Sequence, residues 1–128
     1  MNKYLLDTHA ILWFLEGNEK LPEKLRDFII QQREEIIVSS ISLWEISIKL
    51  SINKLPTVLT INNFVEETAR FWNVKKDINI QEIILYRNLP LYHRDPFDRM
   101  LIAQAQAENL TIITKDQNFS EYDIEILW

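Results

Sequence analysis

The sequence predicts an α/β fold in which a central parallel sheet of about four or five strands is flanked by helices. Short, continuously apolar segments such as Ile36-Ile37-Val38 alternate along the chain with longer segments of helical periodicity. Strands that are apolar throughout are buried on both faces, as in a parallel sheet between two helical layers. The length of 128 residues, 47% of them hydrophobic, suits one domain with a buried core. We therefore expect a single domain over residues 1–128.

The composition limits the class of protein. A net charge of −5 argues against a broad basic surface for nucleic acid, so any polyanion would have to be bound locally. The absence of cysteine excludes disulfides and thiolate zinc sites, and it fits a reducing compartment. No apolar run approaches the roughly 20 residues of a membrane span, and the N-terminal apolar run ends too early for a secretory signal. These features predict a cytoplasmic protein with no membrane partner.

The first predicted strand and helix are separated by a carboxylate. Residues 3–6 form the strand, Asp7 follows it, and residues 8–16 form a helix that Gly17 can end. Since Thr8 is available as the helix cap, we do not expect Asp7 to serve as one.

A second helix leads to a buried strand over residues 35–39, and the chain then enters a helix over residues 41–50. Ser42 and Glu45 have the spacing of a capping box, and Glu45 and Lys49 have the spacing of an i,i+4 ion pair. Either interaction would explain Glu45 without a function.

The C-terminal half continues the alternation. Its predicted elements are a helix over 62–72, a minor strand over 74–76, a helix over 79–88, a helix over 96–108, and strands over 110–114 and 124–127. Asn79 and Glu82 have capping-box spacing. Asp95 and Pro96 are the favoured cap and first residue of a helix, and Asp98 in its first turn complements the helix dipole. That structural role would by itself account for Asp98.

Acidic residues recur where the predicted strands end or the following helices begin. They are Asp7, Glu45, Asp98 and Asp116. In open parallel sheets, function lies beyond the carboxyl ends of the strands, so we expect these acids to meet at one sheet edge. Clustered carboxylates repel one another and need compensating cations, and hard oxygen ligands select Mg²⁺ or Mn²⁺. Such an ion can activate a water against a phosphodiester.

These motifs resemble those of PIN-domain ribonucleases, and more closely those of the VapC-type toxins of toxin–antitoxin pairs. The resemblance is carried by the strand-end acid within residues 6–12, the glutamate segment 39–45, the helix start 98–105 and the strand end 114–116 with Phe119 after it. Their order and spacing extend over nearly the whole chain.

The resemblance implies a PIN-like three-layer fold, metal-dependent endonucleolytic cleavage of RNA, a homodimer and a small cognate antitoxin protein. The catalytic and metal-binding residues would be Asp7, Glu45, Asp98 and Asp116. Asp95 lies outside the common pattern, and we interpret it first as a helix cap and second as an outer metal ligand.

Several other side chains are candidates for substrate contacts. Those nearest the acids in sequence are Arg94, Arg99, Lys49, Lys115 and Thr114. The four basic residues are candidates for contacts with phosphate, and the alternative is that they are ordinary surface charges. His9 and His93 could touch substrate, although a carboxylate metal site does not require them. The tryptophans are interpreted as core or dimer-interface residues rather than base-stacking platforms; they are Trp13, Trp44, Trp72 and Trp128.

Two alternatives remain open at this point. One is a catalytically degenerate PIN-fold module that binds RNA or protein. The other is a Mg²⁺-binding receiver-type signalling domain, which would need a phosphoacceptor aspartate where the strand over residues 36–38 is followed by Ser39 and Ser40. Nucleotide hydrolysis through a phosphate-cradling loop is excluded, because Gly17 is the only glycine.

Overall fold

The computed structural model describes residues 2–128, and in these residues the chain forms one five-stranded sheet. Its strands are β1 (Tyr4–Leu6), β2 (Ile36–Ser39), β3 (Asn73–Lys75), β4 (Thr111–Ile113) and β5 (Ile126–Leu127). Their order across the sheet is β3-β2-β1-β4-β5, and neighbouring strands run parallel. This confirms the predicted fold class. A receiver domain has the strand order 2-1-3-4-5, so the topology removes that alternative.

Helices cover both faces of the sheet. They are α1 (Thr8–Glu16), α2 (Glu23–Gln31), α3 (Ser40–Ser51), α4 (Ile61–Phe71), α5 (Ile80–Asn88) and α6 (Pro96–Glu108). Two apolar clusters lie between the layers, and adjacent strand residues enter opposite clusters: Leu6 packs with α1, α2 and α4, whereas Leu5 packs with α6. Alternation with a period of two is the geometry of a strand buried on both faces. Among residues 2–128 no helix is long and apolar enough to cross a bilayer.

The helix starts follow local capping chemistry. Asp95 caps α6, because its Oδ1 accepts hydrogen bonds from the backbone N–H groups of Phe97 at 2.8 Å and Asp98 at 3.0 Å. Asn79 and Glu82 form the capping box predicted for α5. Both predictions are confirmed.

Two capping predictions were wrong. Asp7, rather than Thr8, caps α1, since its Oδ1 accepts a hydrogen bond from the backbone N–H of Ala10 at 2.7 Å. Ser39, rather than Ser42, caps α3, because that helix begins directly at the end of β2. Thr8 and Ser42 are thereby free to contact other buried side chains.

The register of the sheet brings the strand ends to one edge. Leu6 of β1 is paired with Ile113 of β4, and Ser39 of β2 is paired with Lys75 of β3. The N–H of Asp7 donates to the carbonyl of Ile113 at 3.1 Å, which continues the β1–β4 pairing by one more residue. The residues that follow β1, β2 and β4 therefore leave the sheet side by side.

Arg99 is an internal scaffold residue, which corrects its prediction as a phosphate contact. Arg99 is 7% exposed, and its side chain donates to the last turn of α5 and to the loop that joins α5 to α6. The acceptors are the carbonyl oxygens of Pro90 at 3.0 Å, His93 at 3.2 Å, and Tyr86 and Leu89 at 3.4 Å. Its guanidinium also stacks over the Tyr86 ring at 4.9 Å. The donors of Arg99 are therefore occupied within the protein.

We predict that Arg99→Met lowers the free energy of unfolding by about 3 kcal/mol, because it leaves several carbonyl groups in the loop without a donor. The exposed Arg94 lies five residues earlier, and Arg94→Met serves as the control, with an expected effect within about 0.5 kcal/mol. Urea unfolding of the two variants and the wild type measures both values. Equal stability of the two variants would show that Arg99 does not hold the loop.

Candidate active site

The structure brings together the four acids that were singled out in the sequence. Burial is the largest cause of the raised pKa of Asp98, which reaches about 8, and the negative charges of Asp95, Glu45, Asp7 and Asp116 raise it further. Charge effects of this kind require the groups to be close. These carboxylates therefore share one electrostatic environment at the edge where β1, β2 and β4 end.

Asp7 is fixed through both of its oxygens. Its Oδ1 caps α1, and its Oδ2 accepts a hydrogen bond from Thr114 Oγ1 at 2.6 Å. Burial raises the pKa of Asp7, the hydrogen bonds from Thr114 and Ala10 oppose that rise, and the charge of Asp116 adds to it. Thr114 is fully buried, and its Oγ1 also accepts from the N–H of Asp116 at 3.0 Å. Thr114 therefore links two acids, and this position replaces the substrate contact predicted for it.

Glu45 is held by one neutral donor and one cation. Its Oε1 accepts a hydrogen bond from Thr8 Oγ1 at 2.7 Å, and its Oε2 lies 2.9 Å from Lys49 Nζ. Ser42 Oγ lies 3.1 Å from the same Thr8 hydroxyl. The ion pair predicted between Glu45 and Lys49 is formed, so the Lys49 ammonium balances a carboxylate at the edge of the site.

His93 lies between two of the acids. Its Nε2 is 3.0 Å from Asp98 Oδ2 and 3.2 Å from Asp116 Oδ2. Its Nδ1 accepts a hydrogen bond from the N–H of Asp95 at 3.2 Å. Because Nδ1 accepts this hydrogen bond, a proton of the ring lies on Nε2, where it faces both carboxyl groups.

His93 was not among the metal ligands predicted from the sequence, because a carboxylate metal site does not require a histidine. The signal that could have identified it is its position two residues before the cap of α6, a helix whose first turn carries Asp98. A side chain at that position can reach the helix start. The partner Asp116 lies 23 residues further along the chain, so only the fold reveals this contact.

The donor set fits a hard divalent cation. One ligand atom from each of His93, Asp98 and Asp116 lies within 4.8 Å of the others. Carboxylate oxygens are the ligands that Mg²⁺ and Mn²⁺ prefer, and a cation here would relieve the repulsion that raises the pKa of Asp98. His93 Nε2 contacts both carboxyl groups and so helps to fix their orientation.

Two of the predicted basic residues lie on the surface. Arg94 and Lys115 are exposed, and Lys115 Nζ lies 5.9 Å from the centre of the Trp13 ring. Each is next to a site residue in the chain, since Arg94 follows His93 and Lys115 precedes Asp116. They remain available for contacts with an anion.

Comparison with known proteins identifies the same architecture. The family model described as PIN domain matches residues 4–125. The chain is 19% identical to the solved structure of a DNA-bound VapBC from Salmonella typhimurium, with a TM-score of 0.71 over 99% of this chain and 98% of that one. It is 15% identical to VapBC2 from Rickettsia felis bound to a promoter DNA fragment, with a TM-score of 0.72 over 97% and 96%.

A toxin–antitoxin complex from Klebsiella pneumoniae is similar as well, at 16% identity and a TM-score of 0.67 over 98% of this chain and 97% of that one. No curated protein matches the sequence significantly. At these identities the solved structures show a shared fold, and the residues of the site must be argued from this chain itself.

We predict that Asp98→Asn stabilises the metal-free protein at neutral pH. The folded protein keeps the Asp98 proton up to about pH 8, whereas the unfolded chain releases it near the ordinary value of 3.8. Between these values the folded state binds more protons, so stability falls as the pH rises. Asparagine is neutral without binding a proton, so the variant avoids the cost of protonating this group on folding and should gain about 1 kcal/mol near pH 7.5, or roughly 4 °C in melting temperature.

Thermal melts in chelator between about pH 4 and pH 8 measure this effect, and Asp27→Asn on the exposed face of α2 is the control. We expect the control to keep the pH dependence of the wild type and Asp98→Asn to flatten it. Parallel curves for all three proteins would contradict the crowding of carboxylates around Asp98.

Proposed function

The chain belongs to the PIN domain family, and we propose that it is a metal-dependent endoribonuclease that acts as the toxin of a toxin–antitoxin pair. The observation that carries this proposal is the meeting of Asp7, Glu45, Asp98 and Asp116 at one sheet edge, with the charges of the other three raising the pKa of Asp98. The chemistry supplied by Mg²⁺ or Mn²⁺ at such a site is activation of a water molecule and neutralisation of charge on a phosphodiester.

The residues of this chain divide the work between binding and orientation. Asp98 and Asp116 would supply ligand oxygens, and His93, whose Nε2 contacts both of them, would fix their direction. Asp7 is oriented by Thr114, which donates to its Oδ2. Asp95 serves α6 as its cap through Oδ1, so in this proposal it contributes negative charge from outside the ligand set.

Glu45 has a different environment from the other acids, because Lys49 neutralises it at 2.9 Å. The ion pair allows the Glu45 carboxylate to lie beside the metal ligands without adding a full negative charge to the site. Glu45 Oε1, which accepts from Thr8, is fixed in direction as well. We assign Glu45 to the wall of the site that faces the substrate phosphate, with Lys49 as its counter-charge.

The alternative of a degenerate PIN-fold binding module is disfavoured by the details of the site. A module that had lost catalysis would not need to keep several repelling carboxylates in one buried place, where Asp7 is only 5% exposed. Retaining them destabilises the metal-free protein, and stability is commonly traded for function in this way. The intact acid set therefore favours an active enzyme.

We predict that the purified protein cleaves single-stranded RNA with Mg²⁺ or Mn²⁺ and that chelation abolishes cleavage. Asp98→Asn and Asp116→Asn should each slow cleavage by at least about 100-fold, because each removes a ligand charge. Gel analysis of an end-labelled RNA measures the rates, with Asp27→Asn as the control that retains activity. Cleavage that persists in chelator, or at full rate in Asp98→Asn, would refute the proposal.

The partners we propose are an RNA substrate, a second copy of the chain and a small antitoxin protein. The solved structures that share the fold include two described as VapBC and one described as a toxin–antitoxin complex, which supports an antitoxin here. The self-association is supported by exposed apolar side chains along α5 and the residues after it, namely Ile80, Ile83, Ile84 and Leu91. Apolar surface of this extent on one helix is typical of an interaction face.

We predict that a small protein encoded beside this chain relieves its toxicity on co-expression and co-purifies with it. Binding should occlude the acidic edge and suppress RNA cleavage. Size-exclusion chromatography with light scattering measures the assembly, in which the chain is expected as pairs of 15.3 kDa subunits. An unchanged growth defect without a co-purifying protein would count against the antitoxin, whatever the nuclease assay shows.

A further inference from the structure

A cavity of about 530 Å³ opens beside the acidic site, and none of Asp7, Glu45, Asp98 and Asp116 lines it. The side chains that give it its character are His9, Trp13, Lys20, Lys49 and Lys54. Ligand sites in proteins commonly have volumes of roughly 300 to 1,000 Å³. The cavity is therefore large enough for a nucleotide unit, and its lining combines aromatic rings with positive charge.

Trp13 provides a fixed aromatic surface in this cavity. It is half-buried in α1, its ring meets the Trp128 ring edge-on at a centroid distance of 5.8 Å, and His9 lies 5.6 Å away. Packing against the core cluster restricts the indole further. A ring held in this way loses little entropy when a flat ligand stacks on it.

Positive charge is concentrated around the same ring. Lys20 Nζ and Lys115 Nζ each lie 5.9 Å from the centre of the Trp13 ring. Lys54 is exposed and lines the cavity, and the acid in the lining, Glu16, is exposed at the end of α1. In a chain with a net charge of −5, such a group of lysines is a local exception. This group of lysines provides the local positive charge that an acidic protein needs in order to bind an anion.

The cavity is joined directly to the catalytic edge. Lys49 lines it and lies 2.9 Å from Glu45 Oε2. His9 also lines it and directly follows Thr8, whose hydroxyl donates to Glu45 Oε1. A polymer with its phosphodiester at the acids would therefore place a neighbouring unit in the cavity.

We propose that this cavity is a nucleotide subsite for single-stranded RNA, in which one base stacks on Trp13 while Lys20 and Lys54 contact the flanking phosphates. The inference rests on the proposed function, and it adds the place where the substrate is held next to the cleaved bond. Flat bases and anionic phosphates need these two kinds of group together. Stacking tolerates different bases, so the subsite sets the position of the strand more than its sequence.

The test separates stacking from charge and binding from cleavage. A fluorescein-labelled RNA ten-mer of mixed sequence is titrated with Asp98→Asn protein in chelator, and anisotropy is measured over a range of salt concentrations. Adding Trp13→Leu should weaken binding by about 5- to 150-fold without changing the salt dependence, which is the range for one base stack. Trp13→Tyr should restore most of the affinity.

Substitution of the lysines should change the salt dependence of binding, which the Trp13 substitution should leave unchanged. Lys20→Ala with Lys54→Ala should reduce the slope of log K against log salt by about 1.4, or about 0.7 for each phosphate contact on a single strand. The matched control combines Lys3→Ala with Lys24→Ala, two exposed lysines that do not line the cavity. These substitutions are on the surface, so the lysine comparison holds even if Trp13→Leu lowers stability.

Cavity variants that bind RNA with the affinity and salt slope of the control double variant would overturn the subsite. Failure of the Asp98→Asn protein to bind the ten-mer would overturn it as well. The nuclease proposal is judged separately by cleavage with the wild-type protein. If the wild-type protein cleaves RNA but the cavity substitutions do not affect binding, only the subsite proposal is refuted. If the cavity substitutions weaken binding but the wild-type protein does not cleave RNA, only the nuclease proposal is refuted.

Discussion

Repulsion between carboxylates that are gathered at one edge of the sheet is the constraint around which the site is built. A parallel sheet delivers the ends of β1, β2 and β4 to the same place, and acidic residues follow or lie near each of those ends. Burial adds to the repulsion, and the raised pKa values of Asp7 and Asp98 express both effects. The contacts in this region reduce that cost: Thr114 donates to Asp7, Thr8 and Lys49 bind Glu45, and His93 is shared by Asp98 and Asp116.

A second layer of buried polar contacts supports the first. Arg99 gathers the carbonyl groups of the loop between α5 and α6, and this loop carries His93. Glu82, fully buried at the start of α5, is bound by Lys75 Nζ at 2.8 Å and by Gln104 Nε2 at 3.3 Å, which fastens α5 to β3 and to α6. Because buried charges are costly to separate from their partners, these contacts specify one arrangement of the helices. The position of His93 depends on that arrangement.

The proposed action on RNA would require this acidic protein to compensate the charge of its substrate at two distances. At the site, a divalent cation would neutralise the ligand carboxylates, and their donor chemistry suits such an ion. Next to the site, lysines around Trp13 supply positive charge that does not depend on an ion. The combination allows the remainder of the surface to stay negative, which limits non-specific contact with nucleic acid.

The sequence by itself determined the alternation of strands and helices, most element boundaries to within a residue or two, and the caps of α5 and α6. These features arise from apolar periodicity and from residues within three positions of one another, so they can be recognised in a linear chain. It also indicated the four acids, since each lies near the end of a strand or the start of a helix.

The tertiary structure decided which partner each side chain received. Asp7 accepts from a threonine that is 107 residues away, Arg99 turns inward to a loop, and Trp13 lines a cavity with lysines from separate segments. Contacts between such distant residues depend on how the helices pack on the sheet, and no local pattern encodes them.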